Sequence, residues 1–476
     1  MLKNKKFAKY AIAFNILGIL FMFMYSGLQN DQINIIQAFS GWTNAATLAP
    51  LTVGNLVCIP LTIVYGTLFM KFGPKKTLIP CIVLAALGCA GIAAANGLAL
   101  NGVIVASGEN VVGNYALYCA SLFVIRCTCM CFQMAGFQLA ASWFIKFRGR
   151  VLGIITLGSP LFSVVGVSGM TTFITTKLGG DYRPFYIGLC ALLVVIAVLV
   201  ALLIKDTPES VGLYPDGADH APVSEENAVE NPVTVKELLK QKKSWIMIIN
   251  YGAFQYVINC CMASMVAWFV FLCVSNAANP ESAFVAGPMY GMFMGMGGFE
   301  GAGAMALFVG QAVKWLSVGA IAGIPMSFVF GVIDDKLGTP IASLCLGVTE
   351  FLPVIGLMSQ YKAVAETGMC NTAMLIVWGF GVACMTGGVP TMHPASISFA
   401  FGRREYQAAN RIIMAIQLVP CAFAAQWMVA MINGKNPLMA WYHVMIVIVV
   451  GLIFTIPMFK MTDANAADRA LVSNKK

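Results

Sequence analysis

Charged residues are scarce in this sequence. Only 10% of the 476 residues are Asp, Glu, Lys or Arg, whereas soluble domains contain roughly 25%. Hydrophobic residues make up 59% of the chain, and the mean hydropathy is +0.81. So little polar material cannot cover an apolar core in water. The composition therefore excludes a water-soluble globular protein.

Metal, cofactor and nucleic-acid signatures are also missing. The 15 cysteines lack the spacing of a disulfide framework or a zinc site. Cys127, Cys129 and Cys131 alternate, and alternate residues of a helix point about 200° apart, so packing is favoured over a metal cluster. The net charge of +9 is not gathered on one face with aromatics, as a nucleic-acid surface requires. We expect no metal, no cofactor and no nucleic-acid partner.

Long apolar runs are what the sequence has in abundance. A bilayer core about 30 Å thick requires roughly 20 apolar residues per helical span. Twelve such runs are separated by short polar segments, and the first is too long for a cleaved signal. The predicted spans are 10–29, 46–70, 77–95, 115–142, 150–176, 184–204, 245–275, 304–330, 339–360, 369–396, 406–432 and 438–460.

The basic residues predict how these spans are oriented. Most of the 29 Lys and Arg residues fall in segments that share one side of the membrane if both termini lie on that side. Cytoplasmic loops carry the excess of Lys and Arg. We therefore expect a multi-pass protein of the cell membrane with both termini in the cytoplasm.

One long polar segment divides the chain. Residues 205–244 contain eight acidic side chains and end in a basic run, which predicts a cytoplasmic linker with a flexible first part. A surface helix is expected within its last residues, 235–243. The predicted domains are an N-terminal six-helix bundle, 1–204, and a C-terminal six-helix bundle, 245–476.

The two halves carry a repeated motif. Gly66, Lys71 and Gly73 follow the second span, and Gly331, Lys336 and Gly338 stand at equivalent positions after the eighth. Pro60 and Pro325 keep the same offset. An internal repeat of this kind is typical of transporters built from two related bundles around a midplane site.

These motifs resemble the major facilitator superfamily, whose signature after the second helix is G-x-x-x-D-[RK]-x-G-[RK]-x-[RK]. Met70 replaces the signature aspartate, while the second copy keeps it as Asp335. The resemblance implies an all-α membrane fold of twelve transmembrane helices in two pseudo-symmetric six-helix bundles. It also implies gating by the signature residues and by basic residues near the same side: Lys71, Asp335, Lys336, Arg148, Arg403 and Arg411.

Three further segments resemble the oxalate/formate antiporter and monocarboxylate transporter branches. They are 143–149 with Gly153, Gly158 and Ser159, then 401–404, and 208–217. Members of these branches often carry a cation in the eighth helix that meets a carboxylate. Here that stretch, 323–327, has none, and Lys314 lies farther out in the same span.

Arg126 is the main candidate for substrate binding. It stands near the middle of the fourth span, where a charge is costly and therefore a functional candidate. The resemblance implies that helices 1, 4, 7 and 10 line the cavity. A guanidinium offers paired donors to a carboxylate. The alternative is a structural arginine that satisfies groups within the N-terminal bundle.

Glu350 is the candidate for proton coupling, since it falls within the ninth span. The ninth helix is usually peripheral in the resembled fold, so the alternative is a glutamate bonded to a backbone or hydroxyl group. His393, between Pro390 and Pro394, is expected to make a structural hydrogen bond. Weaker candidates for the cavity wall are Asn15, Tyr25, Gln133, Asn250, Gln255, Tyr256, Asn259, Lys314 and Trp378.

The sequence thus predicts a secondary active transporter and no enzyme. No ATP-binding motif of the G-x-x-x-x-G-K-[ST] type is present, so an ion or substrate gradient must supply the energy. The expected cargo is a small or amphipathic organic carboxylate, moved by proton symport or anion exchange by a monomer in the lipid bilayer. Two alternatives are a transporter of bulky amphipaths, either bile-acid-like uptake or drug efflux, and a transporter-like receptor without translocation.

Overall fold

Helices account for the regular structure of the described chain. The computed structural model describes residues 5–29, 36, 44–95, 115–162, 173–174, 177–178, 181–218, 234–275, 303–367 and 369–466, and this part contains no β-strand. Because a bilayer core offers no hydrogen-bonding partners, helices satisfy the backbone internally. The predicted all-α class is confirmed.

The first half contains seven described helices. They are α1 (Lys5–Gln29), α2 (Asn44–Phe72), α3 (Pro74–Ala95), α4 (Tyr115–Trp143), α5 (Arg148–Thr156), α6 (Gly158–Phe162) and α7 (Arg183–Leu203). Helices α5 and α6 both lie in the region of the predicted fifth span, 150–176.

The second half follows a short helix in the linker. Its helices are α8 (Val235–Lys240), α9 (Lys242–Ser275), α10 (Gly303–Leu337), α11 (Thr339–Thr349), α12 (Phe351–Thr367), α13 (Thr372–Cys421), α14 (Ala424–Ile432) and α15 (Met439–Thr455). Every one of the twelve predicted spans corresponds, in whole or in part, to described helix. Eight helical stretches among the described residues are long and apolar enough to cross a membrane, and the one at Thr339–Thr367 consists of α11 and α12 together.

Three junctions between spans are made by a single glycine in the left-handed region. Gly73 separates α2 from α3 with φ 85°, Gly338 separates α10 from α11 with φ 92°, and Gly402 breaks α13 with φ 69°. Side chains with a Cβ rarely adopt such angles. These glycines therefore let successive helices reverse direction without a longer loop.

The start of the linker packs against the first half. The carboxylate of Asp216 accepts hydrogen bonds from the backbone N–H groups of Ile145 and Lys146, at 2.9 and 2.7 Å. Residues 205–218 are therefore held in place, whereas the sequence predicted a flexible segment. We call the end of the molecule that carries this segment the linker side.

The later part of the linker forms the expected surface helix. Thr234 caps α8 by accepting from the backbone N–H of Glu237, and the Glu237 carboxylate accepts from the backbone N–H of Thr234. This reciprocal arrangement satisfies two N–H groups that a helix start leaves unpaired. The residues between 218 and 234 lie outside the described part of the chain.

Candidate functional site

Arg126 is enclosed in the first half, near the middle of α4. Its exposed fraction is 5%. A methyl group at Gly54 of α2 would lie 2.6 Å from the Cβ of Arg126, so α2 and α4 meet at this point. The backbone carbonyl of Arg126 accepts from the thiol of Cys58, at 3.0 Å. The predicted substrate contact of Arg126 stays a prediction, as does its structural alternative.

The other polar candidates of the first half lie on α1 and α4. The Asn15 amide donates to the Ala11 carbonyl of its own helix at 2.7 Å. Gln133 is half-buried, and its Oε1 has no hydrogen-bond partner among the described residues. Tyr25 is also half-buried. Gln133 keeps an acceptor unused on the helix that carries Arg126.

Two candidates on α9 are engaged with α15. Asn250 donates to the Gly451 carbonyl at 2.7 Å and to the Thr455 hydroxyl at 2.8 Å. The Tyr256 hydroxyl and Nε2 of His443 are 3.2 Å apart. Both side chains therefore join helices within the second half, and their assignment to the substrate stays a prediction.

The remaining pair on α9 shares one face, as predicted. The Asn259 amide donates to the Gln255 carbonyl one turn earlier, at 2.7 Å. Both side chains are half-buried. Their role in substrate binding is untested by this geometry and stays a prediction.

Trp378 lies in the apolar interior of the second half. It is buried, and its ring centroid is 5.7 Å from that of Phe269. Gly356 of α12 allows this packing, because a methyl group there would lie 2.6 Å from the Cβ of Trp378. The side chain of Lys314 falls outside the described part of the structure.

Glu350 sits between α11 and α12, where the predicted ninth span is divided. Its side chain is fully buried. Neither carboxyl oxygen has a hydrogen-bond partner among the described residues. The bond to a backbone or hydroxyl group that we considered as its alternative role is therefore not formed within the described chain.

The second signature joins the two halves on the linker side. Asp335 of α10 accepts from the backbone N–H groups of Gly149 and Arg150, at 2.9 and 3.1 Å. Its carboxylate also lies 3.2 Å from Nε of Arg150, and the Asp335 side chain is 3% exposed. Asp335 thus occupies the N-terminus of α5, where unpaired N–H groups and the helix dipole favour a negative charge. Gly331 allows this approach, since a methyl group there would overlap the Gly149 carbonyl.

Two residues of α5, Arg148 and Thr156, also bond to α13. The Arg148 guanidinium donates to the Ser398 hydroxyl at 2.6 Å and to the Ala395 carbonyl at 3.3 Å. Deeper in the interface, the hydroxyls of Thr156 and Thr391 are 2.8 Å apart. The linker side is therefore closed by polar contacts between the halves.

The first signature meets the second half differently. Gly66 of α2 lies against the side chain of Arg411, which donates to the Thr67 hydroxyl at 2.7 Å. Met70, at the position of the signature aspartate, is 37% exposed. Arg411 lies beside Gly66 in the first copy, and Arg150 lies beside Gly331 in the second. The partner of Arg411 is a neutral hydroxyl, whereas the partner of Arg150 is a carboxylate.

Arg403 links the second half to α4 and to the linker. Its Nε donates to the Ser142 carbonyl at 2.6 Å, and its Nη2 lies 2.8 Å from a carboxylate oxygen of Glu209. Lys71 and Lys336 are exposed. The structure thus brings four of the six predicted gating residues to the interface between the halves and leaves the two lysines outside it.

Sequence reasoning missed the partners of these residues. Glu209, Ser142, Ser398 and Thr67 complete the interface, yet nothing in their local sequence distinguishes them. The repeated glycines were the available signal, because Gly66 and Gly331 mark where helices of opposite halves touch.

The structural hydrogen bond predicted for His393 is present, with Nε2 at 2.6 Å from Oε1 of Gln417.

A protein family and several solved structures are similar to this chain. The family model of the Major Facilitator Superfamily matches residues 7–402. No curated protein matches the sequence.

Three similar solved structures share the fold at low identity. A variant of the E. coli fucose:proton symporter FucP has a TM-score of 0.63 at 14% identity, covering 94% of this chain and 98% of that one. The proton:xylose symporter XylE, bound to 6-bromo-6-deoxy-D-glucose, has a TM-score of 0.64 at 14% identity, with coverages of 97% and 99%. A XylE variant with two tryptophan substitutions has a TM-score of 0.61 at 13% identity, covering 98% and 99%.

Proposed function

Because the chain belongs to the Major Facilitator Superfamily, a family of membrane transporters, we propose that it moves a small or amphipathic organic carboxylate by proton symport or anion exchange. The observation that carries the proposal is the burial of Arg126 in the middle of a membrane helix. A guanidinium in the membrane interior is costly in free energy, so its presence there indicates a function. Its planar, paired donors match a carboxylate.

We take the linker side as the cytoplasmic side of the cell membrane, which places both termini in the cytoplasm. The basic residues of the intervening segments support this orientation. The polar contacts of Asp335, Arg148, Arg403 and Arg411 then close the cytoplasmic side. Alternating access requires these contacts to break when one half rocks against the other. The two halves, 1–204 and 245–476, are the rocking units of a monomer.

Glu350 is our candidate for proton coupling. It is a fully buried carboxyl group without a hydrogen bond to any described residue. A carboxyl group can bind and release a proton during a transport cycle. Its place in the second half, while Arg126 lies in the first, allows the two sites to respond together when the halves move.

Uptake into proteoliposomes tests the substrate class. Oxalate, lactate, a bile acid and a cationic dye are compared as probes, with counterflow to separate transport from binding alone. We expect saturable uptake of one or more of the carboxylates and none of the dye. Dye transport without carboxylate transport would overturn the proposal, and binding without counterflow would indicate a receptor.

Substitution of Arg126 tests the site. Arg126→Ala is expected to abolish saturable carboxylate uptake while the yield of folded, monodisperse protein is preserved. Arg126→Lys, which keeps the charge but loses the paired geometry, is expected to retain weak uptake. Unchanged transport by Arg126→Ala would show that the anion binds elsewhere, and loss of folded protein with both variants would indicate the structural role.

Substitution of Glu350 tests the coupling. Glu350→Gln keeps the shape of the side chain but cannot exchange a proton. We expect uptake driven by a pH gradient to be lost, while counterflow of the same carboxylate continues. If pH-driven uptake persists, or if the wild type shows exchange only, proton coupling at Glu350 is wrong.

A further inference from the structure

One face of α13 is turned toward the first half. Arg403, Gln407, Asn410 and Arg411 recur at intervals that place them on one side of the helix. The two outer members define that side, since Arg403 bonds to Ser142 of α4 and Arg411 bonds to Thr67 of α2. Gln407 and Asn410 therefore lie at the interface between the halves. We call these two residues the amide stripe.

The amide stripe is buried without hydrogen bonds. Gln407 is 3% exposed and Asn410 is 0% exposed. None of their four side-chain oxygen and nitrogen atoms has a hydrogen-bond partner among the described residues. Oε1 of Gln138, one turn before Ser142 on the facing helix α4, is also without a partner there. Buried amide groups are normally hydrogen-bonded, because losing water without a replacement is unfavourable.

The interface made by the second signature shows the opposite chemistry. There the carboxylate of Asp335 satisfies two backbone N–H groups and pairs with Arg150. Closing the linker side therefore gains hydrogen bonds between α10 and α5. Between α13 and the first half, the same closure removes amide groups from water without pairing them.

We propose that the amide stripe is a built-in device that favours opening of the linker side at the α13 interface. Water reaches Gln407 and Asn410 when the halves separate there, and hydration of four amide atoms offsets the contacts that opening breaks. The closed state is thereby kept close in free energy to the open one, as a transport cycle requires. The inference depends on family membership and not on the proposed substrate.

Hydrogen–deuterium exchange on the full chain in detergent tests this without a substrate. Gln407→Met and Asn410→Leu replace each amide by an apolar group of similar shape. Because one unsatisfied buried polar group changes an equilibrium about tenfold, we expect backbone exchange in residues 403–411 to slow about tenfold for each substitution. The thermal midpoint should rise in both single variants.

Gln417 provides a matched control on the same helix. Its amide is satisfied, donating to the Met247 carbonyl at 2.9 Å and accepting from His393. Gln417→Met should therefore lower the thermal midpoint, the opposite sign to Gln407→Met. If both amide-stripe variants instead behave like Gln417→Met, or fail to fold, the amides are satisfied in the closed state and the inference is wrong.

Discussion

The two signature copies, residues 66–73 and 331–338, reach the opposite half through the same glycine contact but are fixed by different chemistry. At the second copy, Asp335 pairs with Arg150 and satisfies the start of α5. At the first, Met70 supplies no charge and Arg411 donates to the hydroxyl of Thr67. Arg411 thus has a single neutral partner, whereas Asp335 combines an ion pair with two hydrogen bonds from backbone N–H groups, each strengthened by its charge.

One copy of the repeat can therefore hold the two halves together firmly while the other holds them only weakly. The glycines fix where the helices touch, because both copies retain them. The side chains beside them decide how firmly the contact is held. We therefore infer that the closed linker side is held mainly through α10 and α5, and only weakly through α2 and α13.

Adding a methyl group at either glycine should break both contacts alike. Gly331→Ala places its Cβ against the Gly149 carbonyl, and Gly66→Ala places it against the Cβ of Arg411. Overpacking of this kind costs about 1–3 kcal/mol. Backbone amide exchange should therefore rise strongly in 148–156 for Gly331→Ala and in 403–411 for Gly66→Ala. Gly188→Ala, where nothing lies within 4 Å of the added Cβ, should leave both segments unchanged. Unchanged amide exchange in Gly331→Ala would show that the helices are not in contact.

Removing the acid should abolish the difference between the copies. Asp335→Asn loses the ion pair and turns an amide donor toward a backbone N–H, at a cost of about 2 kcal/mol. We expect exchange of the Gly149 and Arg150 amides to accelerate by at least tenfold. Lys336→Gln, at an exposed neighbour, is the control and should have no effect. Equal protection in Asp335→Asn and wild type would mean that Asp335 is not the lock.

Adding an acid to the first copy should strengthen the weaker contact. Met70→Asp restores the signature residue and offers Arg411 a carboxylate. Because the position is partly exposed, we expect a gain of only about 0.5–1 kcal/mol, seen as slower exchange in 403–411. The neutral Met70→Asn serves as the comparison, and identical exchange in the two variants would exclude an ion pair.

Removing a charge pair remote from both copies should lower the stability of the protein slightly and leave the interface between the halves unchanged. Arg183, with two hydrogen bonds to the carboxylate, holds the pKa of Asp181 below its ordinary value. A lowered pKa in the folded state adds stability above the unfolded pKa of about 3.9, and this is lost as the pH falls through the folded pKa. Asp181→Asn should therefore lower the thermal midpoint by about 1 °C at pH 7. The difference should shrink as the pH falls below about 4, while exchange in 148–156 stays constant.

Much of the fold could be predicted from local sequence. The apolar runs predicted the spans, and the repeated signature predicted that the two halves are related. The Thr234 and Glu237 pair is a capping box readable from its spacing. Each of these features depends on residues within one helix or turn. Local hydropathy and backbone preference are enough to specify them.

The partners of the candidate residues could not be predicted in the same way. Asp216 was expected in a flexible linker, yet it binds backbone groups about 70 positions away. Arg411 was expected near the gate, but its bond to Thr67 spans 344 positions. Such pairs arise from packing between segments far apart in the chain, which a single sequence does not reveal.

The sequence by itself determined that this chain crosses a membrane many times and carries two related halves, because hydrophobic length and glycine spacing act locally. Only the tertiary structure decided that Arg150 is the partner of Asp335, and that Gln407 and Asn410 are buried without hydrogen bonds among the described residues. These properties depend on which helices touch across the interface. That choice is set by the summed packing of both halves and not by any single segment.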